Sequence, residues 1–172
     1  MPSGTRPRGI VPAPRRRPPG GQATVEFSLV VGLLLTLVFG IVDFGHMVAM
    51  HAAAVTASRE AARYGSAVGD SGSGMPQYVD CAGIRDAARR VTAGLVTLPD
   101  DRIRISYDDG AGNPVSAACP PHGGGPAETQ ITRMDRVVVE VSLTYEAITP
   151  IRAVVGPITV VSINRRAIVK GS

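Results

Sequence analysis

From Phe27 to Val42 every residue is apolar except Ser28, Gly32, Thr36 and Gly40. No other feature limits the chain so strongly. Counted from Glu26 to His46, some 20 residues rising about 1.5 Å each would carry a helix about 30 Å, the thickness of a bilayer core. The run is also longer than the apolar core of an ordinary secretory signal peptide, about 7–15 residues. The reading is a single membrane span over about 26–46.

Charge placement gives the span a direction. Arg6, Arg8, Arg15, Arg16 and Arg17 all precede Gly21, no acidic residue does, and no comparable basic cluster follows the span. The positive-inside rule then puts the N-terminus in the cytoplasm and the remainder outside. The formal net charge of +4 could suggest nucleic acid, but it resides in the leader: without those five arginines the eighteen basic residues fall to thirteen, against fourteen acidic. With no Trp and few aromatics, neither a basic stripe nor a stacking platform for nucleic acid is expected. The segment 1–21, rich in Pro, Gly and Arg, has too little apolar content to pack and reads as a cytoplasmic leader that is tethering or removable.

Past the span, Phe44 to Ala67 is dominated by Ala, Met, Val and charged helix formers without Pro, so one helix is expected to continue over 22–68. GDSGSGMP at 69–76 breaks it. Residues 77–172 then read as a small extracytoplasmic domain. Ile84, Ala87, Ala88, Val91 and Leu95 recur at helical spacing, with Arg85, Asp86, Arg89 and Arg90 between them, which predicts one amphipathic helix. Ile103, Ile105 and Tyr107 alternate with polar residues, as do Val137, Val139, Val141, Leu143 and Tyr145, predicting two half-buried strands. Ile158 to Ile168 is β-rich, but its alternation slips at Val160 and Val161, the mark of a bulge or an irregular edge. The expected fold class is α+β: a long N-terminal transmembrane helix running into a domain of one amphipathic helix and a roughly three-stranded antiparallel sheet.

Cys81 and Cys119 are the only cysteines and lie on the side expected to be oxidising. A disulfide between them is one reading, and two buried thiols are the other.

The motifs GQATVEF, FGIVDFG at Phe39 to Gly45 and SREAARYGS at Ser58 to Ser66, together with the apolar run, resemble the TadE-like proteins of the tight-adherence (Flp) pilus system, relatives of type IVb pilins and pseudopilins. The resemblance covers Gly20 to about Ser66, roughly a quarter of the chain, with the motifs in the family's order and spacing. It implies a minor pilin or pseudopilin in the cytoplasmic (inner) membrane, working with other pilin-like subunits and possible copies of itself. It also implies cutting by a prepilin peptidase between Gly21 and Gln22, which makes Glu26 the fifth mature residue and Phe27 the sixth. A carboxylate at the edge of hydrocarbon is costly unless paired, and the freed α-amine of a neighbouring subunit would pair Glu26. The alternative is that Glu26 favours the positive end of the helix dipole.

Other readings remain open at this level. AAA at Ala52 to Ala54 is an acceptable site for ordinary signal peptidase, which would start a soluble protein near Val55. Asp43 either marks the exit from the membrane or pairs with a basic group on a partner helix; where family members often carry a basic residue after DFG, this chain has His46. SREAARYGS reads first as a solvated helix surface, with Glu60 able to reach Arg63 or Tyr64; the resemblance implies, as the second reading, packing against the outer domain or a partner. The protein could instead be an anchored binding module or adhesin, or an uncleaved assembly accessory.

Chemistry is not expected. His46 and His51 are five residues apart and so fall on different helix faces. His122 with the two cysteines would lack a fourth zinc ligand, and DDGAGNP at 108–114 does not match a calcium loop and reads as a hairpin turn. No GxSxG, HExxH or phosphate loop occurs, so neither an enzyme, a metal nor a cofactor is anticipated.

Overall fold

A computed structural model describes residues 20–72, 74–121 and 124–170; the leader ahead of Gly20 and His122 lie outside them. The chain divides after Val38 into two units. In the first, the opening half of α1 (Gly20–Ser66) presents every side chain from Gly21 to Val38 to the outside except half-buried Val31. Two of its polar side chains turn back on the helix: Ser28 Oγ donates to the Val25 carbonyl at 2.8 Å and Thr36 Oγ1 to the Gly32 carbonyl at 2.9 Å. Neither hydroxyl is thus left without a partner on an otherwise apolar surface.

The second unit begins at Phe39 and holds the rest of α1, the helix α2 (Cys81–Thr92) and, among the described residues, four strands. These are β1 (Ile103–Asp108), β2 (Pro114–Cys119), β3 (Arg136–Tyr145) and β4 (Ile158–Ala167), in the order β2-β1-β3-β4, each pair antiparallel. Val137, Val139, Val141, Leu143 and Tyr145 of β3 are all buried, as are Ile103, Ile105 and Tyr107 of β1. Period-two alternation therefore puts one sheet face in the core. Over that face lie Met50, Ala53, Ala54, Ala57, Ala61 and Ala62 of α1, which are part of the same core. Their small side chains let the helix approach closely, and Gly65 marks the limit: a Cβ there would stand 2.9 Å from Ile84 Cδ1 and 3.3 Å from Val137 Cγ2.

The helix α2 is fixed at its start by Asp80, whose Oδ1 accepts from the Gly83 amide at 2.9 Å, an N-cap that satisfies one orphan donor. Tyr64 Oη donates to Asp80 Oδ2 at 2.9 Å, so the cap of α2 is also tied to α1.

The α+β class and the antiparallel sheet agree with the expectation, and the particulars refine it. A fourth strand, Pro114–Cys119, extends the sheet next to the segment whose residues read as a turn. The strand β4 is an edge, but it pairs with β3 in unbroken register from Ile158↔Tyr145 to Ala167↔Arg136, so the expected bulge is absent there. The slip in alternation arises because both faces of this edge strand carry apolar residues, with Val161 and Ile163 exposed. A register shift occurs instead between Ser106 and Asp108, in the β1–β2 pair. In α2 and the turn after it, Val91 and Leu95 are exposed while Arg85 is buried, its guanidinium donating to the Pro120 carbonyl.

Candidate functional site

The residues singled out along α1 form three successive stations. At its head, Gln22 Nε2 donates to Glu26 Oε1 at 3.0 Å, an i,i+4 contact. Gly21 has nothing near the position a Cβ would take, and Phe27 is 69% exposed. Beyond it the exposed face includes Leu29, Leu33, Leu37 and Ile41, and α1 is long and apolar enough to cross a membrane, with none of its most apolar window buried by the protein.

The second station is Asp43, which is buried. Its Oδ1 accepts from the Ile148 amide at 2.9 Å and the Thr149 amide at 3.4 Å, and its Oδ2 accepts from the Thr149 hydroxyl. The Asp43 backbone carbonyl accepts from Tyr145 Oη at 3.0 Å. Burial, with the Asp43 carboxylate close by, pushes the Tyr145 phenol up and keeps it a donor. His46 lies against the Tyr145 ring, 5.4 Å between centroids. The carboxylate thus holds the segment that follows β3 through donors more than a hundred residues away. Nothing in the local sequence of Asp43 points to them. The one local signal is Thr149-Pro150 itself: Thr149 is the N-cap of a short 3₁₀ turn, Pro150–Ala153, with Pro in its first position.

At the third station the expectation of a solvated surface for SREAARYGS is corrected. Arg59 and Arg63 are exposed, and Glu60 meets Arg63 at 3.6 Å. Ser58, Ala61 and Ala62, however, are fully buried, and Ser58 Oγ lies 3.0 Å from Ser162 Oγ of β4.

Cys81 and Cys119 are joined in a disulfide, Cα–Cα 5.8 Å, linking the start of α2 to the end of β2. Beside it the Tyr107 hydroxyl donates to the Tyr78 carbonyl, and burial raises the Tyr107 phenol well above its ordinary value. The Tyr78 phenol, pushed up to about 12 by burial and by its hydrogen bond to Glu128, donates to Glu128 Oε1 at 2.8 Å. Both phenols are thus kept as neutral hydrogen-bond donors.

At the opposite end of β3 from Tyr145, Arg136 clasps Asp108 with two bonds, 2.6 and 3.1 Å. The Arg136 hydrogen bonds, aided by the Gly110 amide and Arg165, hold the Asp108 carboxyl below the usual carboxylate range. The adjacent Asp109 carboxylate is taken up by the amides of Ala111, Gly112 and Asn113 and by the Asn113 side chain. Gly110 and Gly112 supply the positive φ angles of 82° and 104° that close the hairpin. Among the described residues no group of His, Cys, Asp and Glu could hold a metal ion.

The sequence matches no curated protein, and no solved structure matches the fold. A family model does match, and its bounds fall within the helix that carries all three stations: over residues 21–63 the chain matches the family of TadE-like proteins.

Proposed function

We propose that this chain is a minor pilin or pseudopilin that takes part in assembling a tight-adherence (Flp, type IVb-like) pilus. A prepilin peptidase would cut between Gly21 and Gln22 and free the amine of Gln22. The helix α1 would anchor the protein in the cytoplasmic membrane with its N-terminus inside. Its apolar surface would then pack sideways with other pilin-like helices. The α+β unit would be displayed outside as the variable part of the subunit.

One observation carries this reading. The family match ends at residue 63, and within it the helix changes character: exposed and largely apolar from Val25 to Val42, then buried on one face through Ala53, Ala54, Ala57, Ala61 and Ala62. A helix built only to sit in a domain core would be covered along its length, and one built only as an anchor would have no second face to dock. The combination supports a helix that serves its own domain with one end and lipid or neighbouring helices with the other. No enzyme role is proposed, because the ionisable groups described above in the outer unit are taken up by caps, turns and pairs.

The test is N-terminal sequencing of the membrane-bound protein from cells with and without the peptidase. A start at Gln22 only when the peptidase is present supports the reading. A start near Val55 or an uncut chain in both would overturn the processing step. Cross-linking from within Phe27 to Val42 tests the rest: contacts with other pilin-like subunits support assembly, whereas contacts with lipid or itself alone would make the protein an anchored binding module.

A further inference from the structure

Between β3 and β4, residues 146–157 turn over beside Asp43 with several apolar side chains outward. Val154 is 89% exposed and Ile148 65%. Single apolar residues are common on protein surfaces, but grouped ones mark an interaction site. Here the group is continuous with α1: Phe44, Ile151, Val155 and Ile158 line one shallow hollow of about 220 Å³, together with Asp43 and Tyr145. On the same stretch of helix Ile41 and Phe44, at 64% and 63% exposure, add to the apolar surface.

The backbone of the same loop has the opposite character. The amides of Ile148 and Thr149 go to the Asp43 carboxylate, and that of Ile151 goes to Thr149 Oγ1. The amide of Arg152 goes to the Thr149 carbonyl, and those of Val154 and Val155 both go to the Ile151 carbonyl. These bonds relieve six of the loop's amides of any dependence on water. Irregular backbone at the depth of the hydrocarbon is tolerated only where its polar groups are met from within the protein.

We propose that residues 148–155, beyond the exposed Glu146, form a second membrane contact, in which Ile148, Val154 and Val155 enter the outer-leaflet interface beside the emerging helix. Exposed Arg152 on the same turn is then available to lipid phosphates. The inference rests on the membrane-anchoring reading of α1 and adds to it a site outside the family match. Two observations favour lipid over a protein partner. The patch adjoins the helix where it leaves the apolar run, with no polar break, since Asp43, the one charge between Phe39 and Phe44, is buried and bonded to the loop. And Val154, at the tip, protrudes rather than lining a complementary groove, which suits a fluid medium. The Asp43 carboxylate then has a specific role, satisfying loop donors at the level where water becomes scarce.

The chain has no Trp, so a single introduced Trp reports its own surroundings. The full chain, reconstituted in vesicles of phosphatidylcholine and phosphatidylglycerol, would carry Val154→Trp, Leu37→Trp in the span or Ala111→Trp in the distal β1–β2 turn. The expected result is blue-shifted emission from Val154→Trp and roughly twofold quenching by lipids brominated in the upper acyl chain, the depth reached by interfacial segments. Leu37→Trp, near mid-span, should be quenched by lipids brominated deep in the acyl chain, and Ala111→Trp by neither lipid. Quenching of Leu37→Trp without Val154→Trp overturns the loop contact and leaves the span standing; quenching of neither removes both. A Val154→Trp signal that is blue-shifted yet unquenched would mean that a second copy covers the loop, and lipid contact would be refuted.

Discussion

The carboxylate of Asp43 and the hydroxyl of Thr149 are hydrogen-bonded across 106 residues of sequence. That bond, with the amides of Ile148 and Thr149, makes the end of β3 dependent on a helix residue. Asp43→Ala would leave three donors without their acceptor, whereas Asp43→Asn keeps an oxygen for the two amides. In the alanine variant, hydrogen exchange at Ile148 and Thr149 should therefore accelerate by about tenfold or more, with a smaller effect in the asparagine variant, while core amides such as Val139 stay protected. Unchanged exchange in Asp43→Ala would show that the bonds do not hold the loop. Thr149→Val should mimic part of the effect, and the double variant should be less than additive, as for groups in one network.

Much of the second unit is legible in the sequence because β3 and β1 alternate strictly, so that Val137 to Tyr145 and Ile103 to Tyr107 declare their buried faces. The alanine face of α1 is not. Ala is the best helix former in water as well as in a core, so Ala53 to Ala62 explain a helix without saying what covers it. The strand β2 is hidden for a related reason: Pro114, Ala117 and Ala118 have low strand preference, and the pairing that enforces the strand comes from β1. Arg85 reads as a solvent-facing residue because its charge outweighs its periodicity, yet its guanidinium reaches the Pro120 carbonyl and its aliphatic stem is buried with it. The partners of Asp43 are beyond reach, since a tertiary contact with a loop leaves no periodic trace at either end.

Helix packing on the sheet can be tested by overfilling it. Ala61 is fully buried, and Ala61→Leu inserts three carbons where the helix lies close over the core. The expected loss is about 1–3 kcal/mol in denaturant unfolding of the second unit. Arg59→Leu, on the exposed side of the same turn, should change stability by no more than about 0.5 kcal/mol. Equal effects at the two positions would refute the docked face.

The disulfide closes a separation of 38 residues, and loop entropy alone assigns it about 4 kcal/mol. In a unit with so small a core that is a large share of the total. The double variant Cys81→Ala/Cys119→Ala should unfold at a much lower denaturant concentration than the oxidised protein, with most of the difference reproduced by reducing the native chain. Two reactive thiols in the unreduced protein after denaturation would contradict the bridge.

Acid should loosen the Asp108–Arg136 end of the sheet. The Asp108 carboxyl is lowered in the folded state, chiefly by its hydrogen bonds to Arg136, so the unfolded chain takes up the proton first as pH falls. The stabilisation is thus complete above the ordinary aspartate value of about 3.9 and fades as pH drops from there through the lower folded value. Arg136→Met should lower stability at neutral pH and flatten the loss as pH falls below about 4, because less of it then depends on Asp108 ionisation. Thermal unfolding followed across that range gives the comparison, and parallel curves for the two proteins would rule the pair out as the source.

Glu26 offers the sharpest test of assembly. Its Oε1 accepts from Gln22 Nε2 within the same helix, a bond that a glutamine can still accept, so Glu26→Gln removes the charge and leaves the local helix intact. If a neighbouring subunit's amine is the partner, losing the charge-assisted bond should reduce cross-linked subunit pairs in the membrane by about tenfold. Membrane insertion should stay unchanged, since the substitution makes the span less polar rather than more. The Gln22 terminus generated by cleavage should still be detectable by N-terminal sequencing. Full retention of subunit pairs in Glu26→Gln would leave the helix-dipole account of this residue as the sufficient one.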